Sequence, residues 1–230
     1  MTAVTTDVEL IDLSATPLRE LNQRLHDAES GRFRIVNPGG AHAVAAGVKA
    51  PLEVEIVGHV GYYCAGMNQQ ANVRVLGNVG TGVAENMISG SVVVEGTASQ
   101  AAGATGRGGL LVIHGDAAAR CGISMKGVDI VVHGSVGHMS AFMAQRGCLV
   151  ICGDAGDGLG DSIYEAHIYV SGTVAGLGAD CVEKELRDHH IAELSSVLDR
   201  AGTTSDLAQF RRYGSSRQLY NFKIDNVGAY

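Results

Sequence analysis

Tryptophan is absent, and proline occurs only three times in 230 residues. No apolar run approaches the roughly 18–20 residues that a membrane helix needs. Positive charge is not in excess. The chain has 17 Lys and Arg against 24 Asp and Glu, a net charge of −7, which argues against a nucleic-acid binder. The first residues, Met1 to Val8, lack a basic stretch followed by an apolar one, so no secretory signal is expected. The five cysteines (Cys64, Cys121, Cys148, Cys152 and Cys181) are odd in number and lack framework spacing. That pattern suits a reducing, cytoplasmic setting.

Glycine is what the chain has in quantity: 32 residues, about twice the usual share of roughly 7%. These glycines have no G-X-Y period, and with so little proline the chain is not collagen-like. Hydrophobic residues make up 46% and charged residues 18%, enough to build a core and too apolar for disorder.

The glycines mark an internal repeat. A short apolar run ending in Gly recurs, as in Leu52-Glu-Val-Glu-Ile-Val-Gly58, Leu110-Leu-Val-Ile-His-Gly115 and His167-Ile-Tyr-Val-Ser-Gly172. The anchors are Gly58, Gly77, Gly96, Gly115, Gly134, Gly153 and Gly172, spaced 19 residues apart. The same step back from Gly58 reaches Gly39, which makes eight anchors. Two and four residues before each of the seven anchors from Gly58 on stand Val, Ile or Leu, as in Ile56 and Val54 or Ile151 and Leu149. Positions of equal parity share one strand face, so both columns point inward. Seven residues after each anchor comes only Gly or Ala (Ala65, Ala84, Gly103, Gly122, Ala141, Gly160, Ala179), the mark of a corner with close backbone approach. A βαβ fold needs longer helical stretches between strands than these Gly-rich gaps provide. The expected fold is all-β: a right-handed parallel β-helix of about eight 19-residue coils, about 40 Å long at the ~4.8 Å spacing of strands.

The raw ends of a solenoid need caps. Three parts are expected: a capping flank over 1–31, the β-helix over 32–180, and a C-terminal helix with an aromatic tail over 181–230. Thr16-Pro17 reads as a helix start, with Leu18, Leu21 and Leu25 on one face and an end near Ala28. Cys181 to Arg200 reads as a helix stopped by Gly202, and Thr204 to Arg212 as a further short one. Phe210, Tyr213 and Tyr220 belong to a tail that either docks back or meets a partner.

Few residues suggest chemistry. Gly156-Asp-Gly158-Leu-Gly160 and Gly77-Asn-Val-Gly80-Thr-Gly82 resemble nucleotide loops, but neither opens a helix, so they read as solenoid turns. His114, His133 and Cys152 occupy successive rungs one residue before their anchors, with Cys148 on the same face. Zinc accepts such ligands, but a straight row is not a tetrahedron, and no metal is assigned. The row reads instead as an outer-face ladder lying under a cap or a partner. The column three before the anchor runs Glu55, Arg74, Val93, Val112, Val131, Val150, Tyr169. It faces outward yet turns apolar, so either a terminal helix or another subunit covers it. Asp154, Asp157 and Asp161 crowd one turn and read as solvated acids, and His189-His190 as solvated helix residues. Cys64 and Cys121 read as small core residues. No catalytic or cofactor-binding residue is assigned.

The Gly-anchored coils, the small-residue corner and the Gly156–Gly160 string resemble the GXGXG β-helix domain of the glutamate synthase family. Arg19-Glu-Leu-Asn22 before the solenoid, and Phe210-Arg-Arg-Tyr-Gly214 and Arg217-Gln-Leu-Tyr220 after it, resemble the stand-alone bacterial version of that domain. That version is one subunit of enzymes of the N-methylglutamate synthase type. The resemblance implies two partners, a glutamine-amidotransferase-like subunit and a synthase-like subunit carrying FMN and an iron–sulfur cluster. It implies conversion of methylamine and L-glutamate to N-methyl-L-glutamate and ammonia, with this chain as a non-catalytic scaffold that binds no cofactor alone. A sister complex making glutamate from ammonia or glutamine fits the same residues. A non-enzymatic interaction solenoid fits the apolar outer column but not the flanks.

Overall fold

The computed structural model describes residues 7–216. Eight short strands stack in parallel: β2 (Gly31–Val36), β3 (Leu52–Val57), β4 (Asn72–Leu76), β5 (Ser91–Val94), β6 (Leu110–Ile113), β7 (Asp129–Val132), β8 (Cys148–Ile151) and β9 (His167–Val170). They form one side of a β-solenoid of about seven turns. From β3 onward each partner lies 19 residues on, as Val54 pairs with Val73 and Val73 with Val92. The inward columns are fully buried, among them Ile56, Val75, Ile113 and Ile151 at 0% exposure. Fully burying each such side chain contributes about 1.5–3 kcal/mol, so like side chains stacked rung on rung make the core.

The anchor glycines have a steric cause. The N–H of Gly115 donates to the Gly96 carbonyl at 2.9 Å, and that of Gly153 to Gly134 at 2.9 Å. A Cβ on Gly77 would stand 2.5 Å from the Gly58 carbonyl oxygen, closer than any real side chain sits. The small-residue corner is set by backbone conformation as well as by space. Ala65, Ala84 and Ala141 hold φ between 51° and 57°, and Gly103, Gly122 and Gly160 between 67° and 69°. At Gly103 a Cβ would also meet Ile130 Cδ1 at 2.5 Å.

The residue after most of the anchors stitches the turns together. Asn78 Oδ1 accepts from the Thr97 N–H at 2.9 Å, Asp116 Oδ1 from Ser135 at 2.7 Å, and Asp154 Oδ1 from Thr173 at 2.7 Å. A second parallel ladder runs through Val60, Val79, Ala98, Ala117, Val136, Ala155 and Val174 on the next side. The solenoid thus satisfies its backbone between turns, as a fold without long helices must.

Four expectations are corrected. Gly39 is not an anchor. The first turn is longer, with 21 residues from Phe33 to its partner Val54, and the anchor place before the corner falls to Asn37 at φ 54°. An extra strand, β1 (Val8–Asp12), adds parallel to β2 ahead of the repeat. Helix α1 (Leu18–Asp27) is where it was expected, with Leu21 and Leu25 buried, but Pro17 occupies the cap position and no side chain bonds there. At the far end Cys181 starts a strand rather than a helix. Strand β11 (Arg211–Ser215) inserts antiparallel between β9 and β10 (Cys181–Lys184), which ends the parallel stack. Helix α2 is shorter than expected, Asp188–Arg200, and the segment after it is a single 3-10 turn, Leu207–Gln209.

Candidate functional site

The outward face of the sheet divides in two. Over β2–β4 it is open and polar. Arg34 pairs with Glu55 at 2.9 Å and Arg74 with Glu95 at 2.7 Å, while Asn72 bonds Glu53 at 2.8 Å. This half lines a shallow groove of about 650 Å³. Over β6–β9 the face is apolar and covered. Val112, Val131, Val150 and Tyr169 are at most 2% exposed, under Leu194, Val197 and Leu198 of α2 and under Phe210.

Of the two covers expected for the apolar column, a terminal helix or another subunit, the chain's own helix lies over Val112, Val131, Val150 and Tyr169, so these four do not face a partner. Val93, at the border, is only partly buried against the same cluster. His133 Nε2 bonds Thr203 Oγ1 at 2.7 Å, and Cys152 is hydrogen-bonded by Ser205, so the loop after α2 closes over that row too. His114 meets His133 edge to face at 4.4 Å and lies 3.9 Å from Glu95. Phe210 and Tyr213 are buried at 4% and 2% and dock back onto the solenoid. Tyr220 lies outside the described residues.

Where α2 leaves the sheet, a cleft of about 410 Å³ opens, with Arg146, Glu165, Ser196 and Arg200 along its walls. At its floor three elements converge. Cys148 starts β8, His167 starts β9 directly beside it, and Glu193 comes down from α2. One donor atom from each lies within 4.8 Å of the others. Glu193 Oε2 takes hydrogen bonds from His167 Nδ1, at 2.6 Å, and from the Tyr169 hydroxyl. The Cys148 thiol lies beside the same carboxylate. Asp129 accepts from the Cys148 N–H at 3.0 Å and is ion-paired to Arg200.

The electrostatics follow from this crowding. Burial alone would raise the Glu193 carboxyl, but bonds from His167 and Tyr169 outweigh it and hold the pKa at about 2. Burial, then the Glu193 and Asp129 carboxylates, push the Cys148 thiol well above its usual range. His190, expected to be solvated, is 6% exposed. Burial, then Arg212 and its histidine neighbours, lower its pKa to about 4. Its Nδ1 accepts from the Arg187 N–H at 3.2 Å, which closes the start of α2.

Comparison with known proteins places the chain. Protein GlxC of Rhizobium meliloti (strain 1021) is 60% identical over 226 residues, spanning 96% of this chain and 99% of that protein. This chain belongs to the GlxC family. No family model matches it. No solved structure matches it either.

The remaining candidates are structural. Gly158 and Gly160 hold φ of 73° and 67°, as solenoid corners do. Asp154 is occupied by the Thr173 N–H and hydroxyl, and Asp161 by Ser162 and the Ala179 N–H. All five cysteines are free, and burial pushes Cys64 and Cys121 to about 12. Among the described residues no helix is long and apolar enough to cross a membrane. The repeat does show that Cys148 and His167 share a phase, each five residues before an anchor. Glu193 lies outside the repeat, and no periodicity points to it.

Proposed function

We propose that this GlxC-family chain is the β-helix subunit of a glutamate-synthase-related heteromeric enzyme of the N-methylglutamate synthase type. In this reading an amidotransferase-like subunit and a synthase-like subunit carrying FMN and an iron–sulfur cluster assemble on it. The complex converts methylamine and L-glutamate to N-methyl-L-glutamate and ammonia in the cytoplasm. The observation that carries the reading is the stack of Gly-anchored 19-residue turns, interrupted nowhere between β3 and β9. Such a stack is stiff, because every turn is bonded to the next on more than one side. A stiff rod holds two reacting centres at a fixed separation and can wall the path of a small amine between them.

The test is co-purification of the tagged chain from its host, with a visible spectrum and a turnover assay. Two further subunits, flavin and iron–sulfur absorbance, and N-methylglutamate formed from methylamine and glutamate are expected. Turnover with ammonia or glutamine instead, giving glutamate, would move the chain to the sister complex. A colourless chain without partners would overturn the reading.

A further inference from the structure

We propose that Cys148, His167 and Glu193 form a binding site for a zinc-type divalent cation, clamped between the sheet and α2. The inference concerns this chain alone and stands apart from the partners proposed above.

Three features point to a cation. The first is the donor set. A thiolate, an imidazole and a carboxylate are the three side-chain types that zinc takes, and the mixture of soft and hard donors suits it better than magnesium or calcium. The second is the geometry. The three donor atoms already lie within 4.8 Å of one another. Zinc bonds of about 2.0–2.3 Å in a tetrahedron put ligand atoms roughly 3.3–3.7 Å apart, so side-chain adjustments of about an ångström bring all three onto one ion. The third is the way the donors are held. Cys148 and His167 are fixed side by side by strand register, and Glu193 is fixed by burial of Leu194, Val197 and Leu198 on the same helix. Preorganised ligands on rigid elements lose little freedom on binding.

Hydrogen bonds draw these donors around a single carboxylate. His167 and Tyr169 both direct hydrogens at it, and the Cys148 thiol lies beside it. A dication entering there takes Glu193 Oε2 as it stands. It displaces the thiol proton of Cys148 to solvent, so a thiolate–metal bond forms as an S–H bond breaks. It takes Nδ1 of His167, whose proton moves to Nε2 or leaves. No oxidant or reductant is involved. The neighbouring charges are Asp129, paired to Arg200, and Arg212, which lies beside Tyr169 on β11. Glu193 and a Cys148 thiolate together neutralise the ion. Three protein ligands leave one coordination position, and the cleft opens onto it. Such three-ligand sites keep that position for water. The His114, His133 and Cys152 row offers no equivalent, because among the described residues it does not bring three donors within that range.

The test uses the full-length chain, stripped with chelator and titrated with zinc and, separately, with cobalt. One zinc per chain is expected by elemental analysis, and cobalt is expected to give a thiolate charge-transfer band in the near ultraviolet. Cys148→Ser should abolish the band, and Cys148→Ser and His167→Ala should each weaken zinc binding by more than about 100-fold, beyond the 10–100-fold typical of outer contacts. Circular dichroism of each variant shows whether the fold is retained. Should His167→Ala fail to fold, His167→Gln replaces it, because it keeps a hydrogen bond to Glu193 without an imidazole. A chain that takes up no zinc at micromolar concentrations, or zinc binding unchanged in a folded Cys148→Ser variant, would overturn the proposal.

Discussion

The two halves of the outer face are built on one backbone and one register, yet they follow opposite chemistry. Over β2–β4 the outward positions are Arg34, Glu55 and Arg74, and water faces them. Over β6–β9 the same column is Val112, Val131, Val150 and Tyr169, and α2 covers it. The inward columns do not change between the halves. The fold thus sets where a side chain points, and sequence alone decides what lies over it. A sheet strand covered on both faces reads as continuous apolar sequence, and one open to water reads as alternation. Both patterns occur within this single sheet.

The largest effects are expected where cover is removed. Leu194→Ala leaves a void between α2 and the sheet and should cost about 2–5 kcal/mol. Arg74→Ala, the counterpart change on the open half, should cost at most about 1 kcal/mol. Denaturant unfolding of both variants makes the comparison. Similar losses for the two would show that the halves are not energetically distinct.

The anchor glycines should ignore the division. Gly77 lies in the open half and Gly134 in the covered half, but each meets the backbone of the preceding anchor. Gly77→Ala and Gly134→Ala should each cost about 1–3 kcal/mol, the usual penalty for forcing atoms into packed space. A much larger loss at Gly134 alone would tie the anchors to the cover rather than to the stacking of turns.

Why one half was more legible than the other follows from the same physics. Everything that obeys the 19-residue period could be read from sequence: inward columns, anchors, corner glycines, and the apolar outer column with its need for cover. The identity of the cover could not, because α2 packs by long-range contacts that leave no period. Cys181 through Leu186 reads in sequence as the start of the helix that runs to Arg200, but Cys181–Lys184 is a strand. Pairing with β11 overrode the local pattern, as tertiary contacts override propensity. Gly39 sat at the right distance from Gly58, but a distance of 19 assumes a constant turn, and the first turn carries two more residues than the rest. At the candidate site the phase of Cys148 and His167 was visible. Glu193, which joins them, was not.

Acid should act on the covered half first. His190 has its folded pKa lowered to about 4 from 6.5, so the unfolded chain takes up the proton earlier and stability falls as pH drops through that interval. Glu193 has its folded pKa lowered to about 2 from 4.5, so its contribution is complete above 4.5 and is lost as pH falls toward 2. Stability measured against pH with chelator present should therefore decline over both windows. Glu193→Gln should remove the lower decline and His190→Gln the upper. A profile unchanged in both variants would mean that α2 is not held by these groups.

The smallest effect belongs to the charges on the open half. Arg74 and Glu95 form a 2.7 Å pair with side chains 60% and 30% exposed. Such a pair exchanges hydration for attraction at nearly equal value and contributes up to about 1 kcal/mol. A double-mutant cycle of Arg74→Ala and Glu95→Ala should return a coupling in that range, shrinking as salt is raised past the point where the screening length falls below about 8 Å. A salt-insensitive coupling of about 2 kcal/mol or more would mean that charge pairing, rather than strand register and the buried columns beneath it, holds the open half in place. With the expected small value, the rungs Arg34, Glu55, Arg74 and Glu95 sit where the backbone puts them, and their charge is free to vary without loss of the fold.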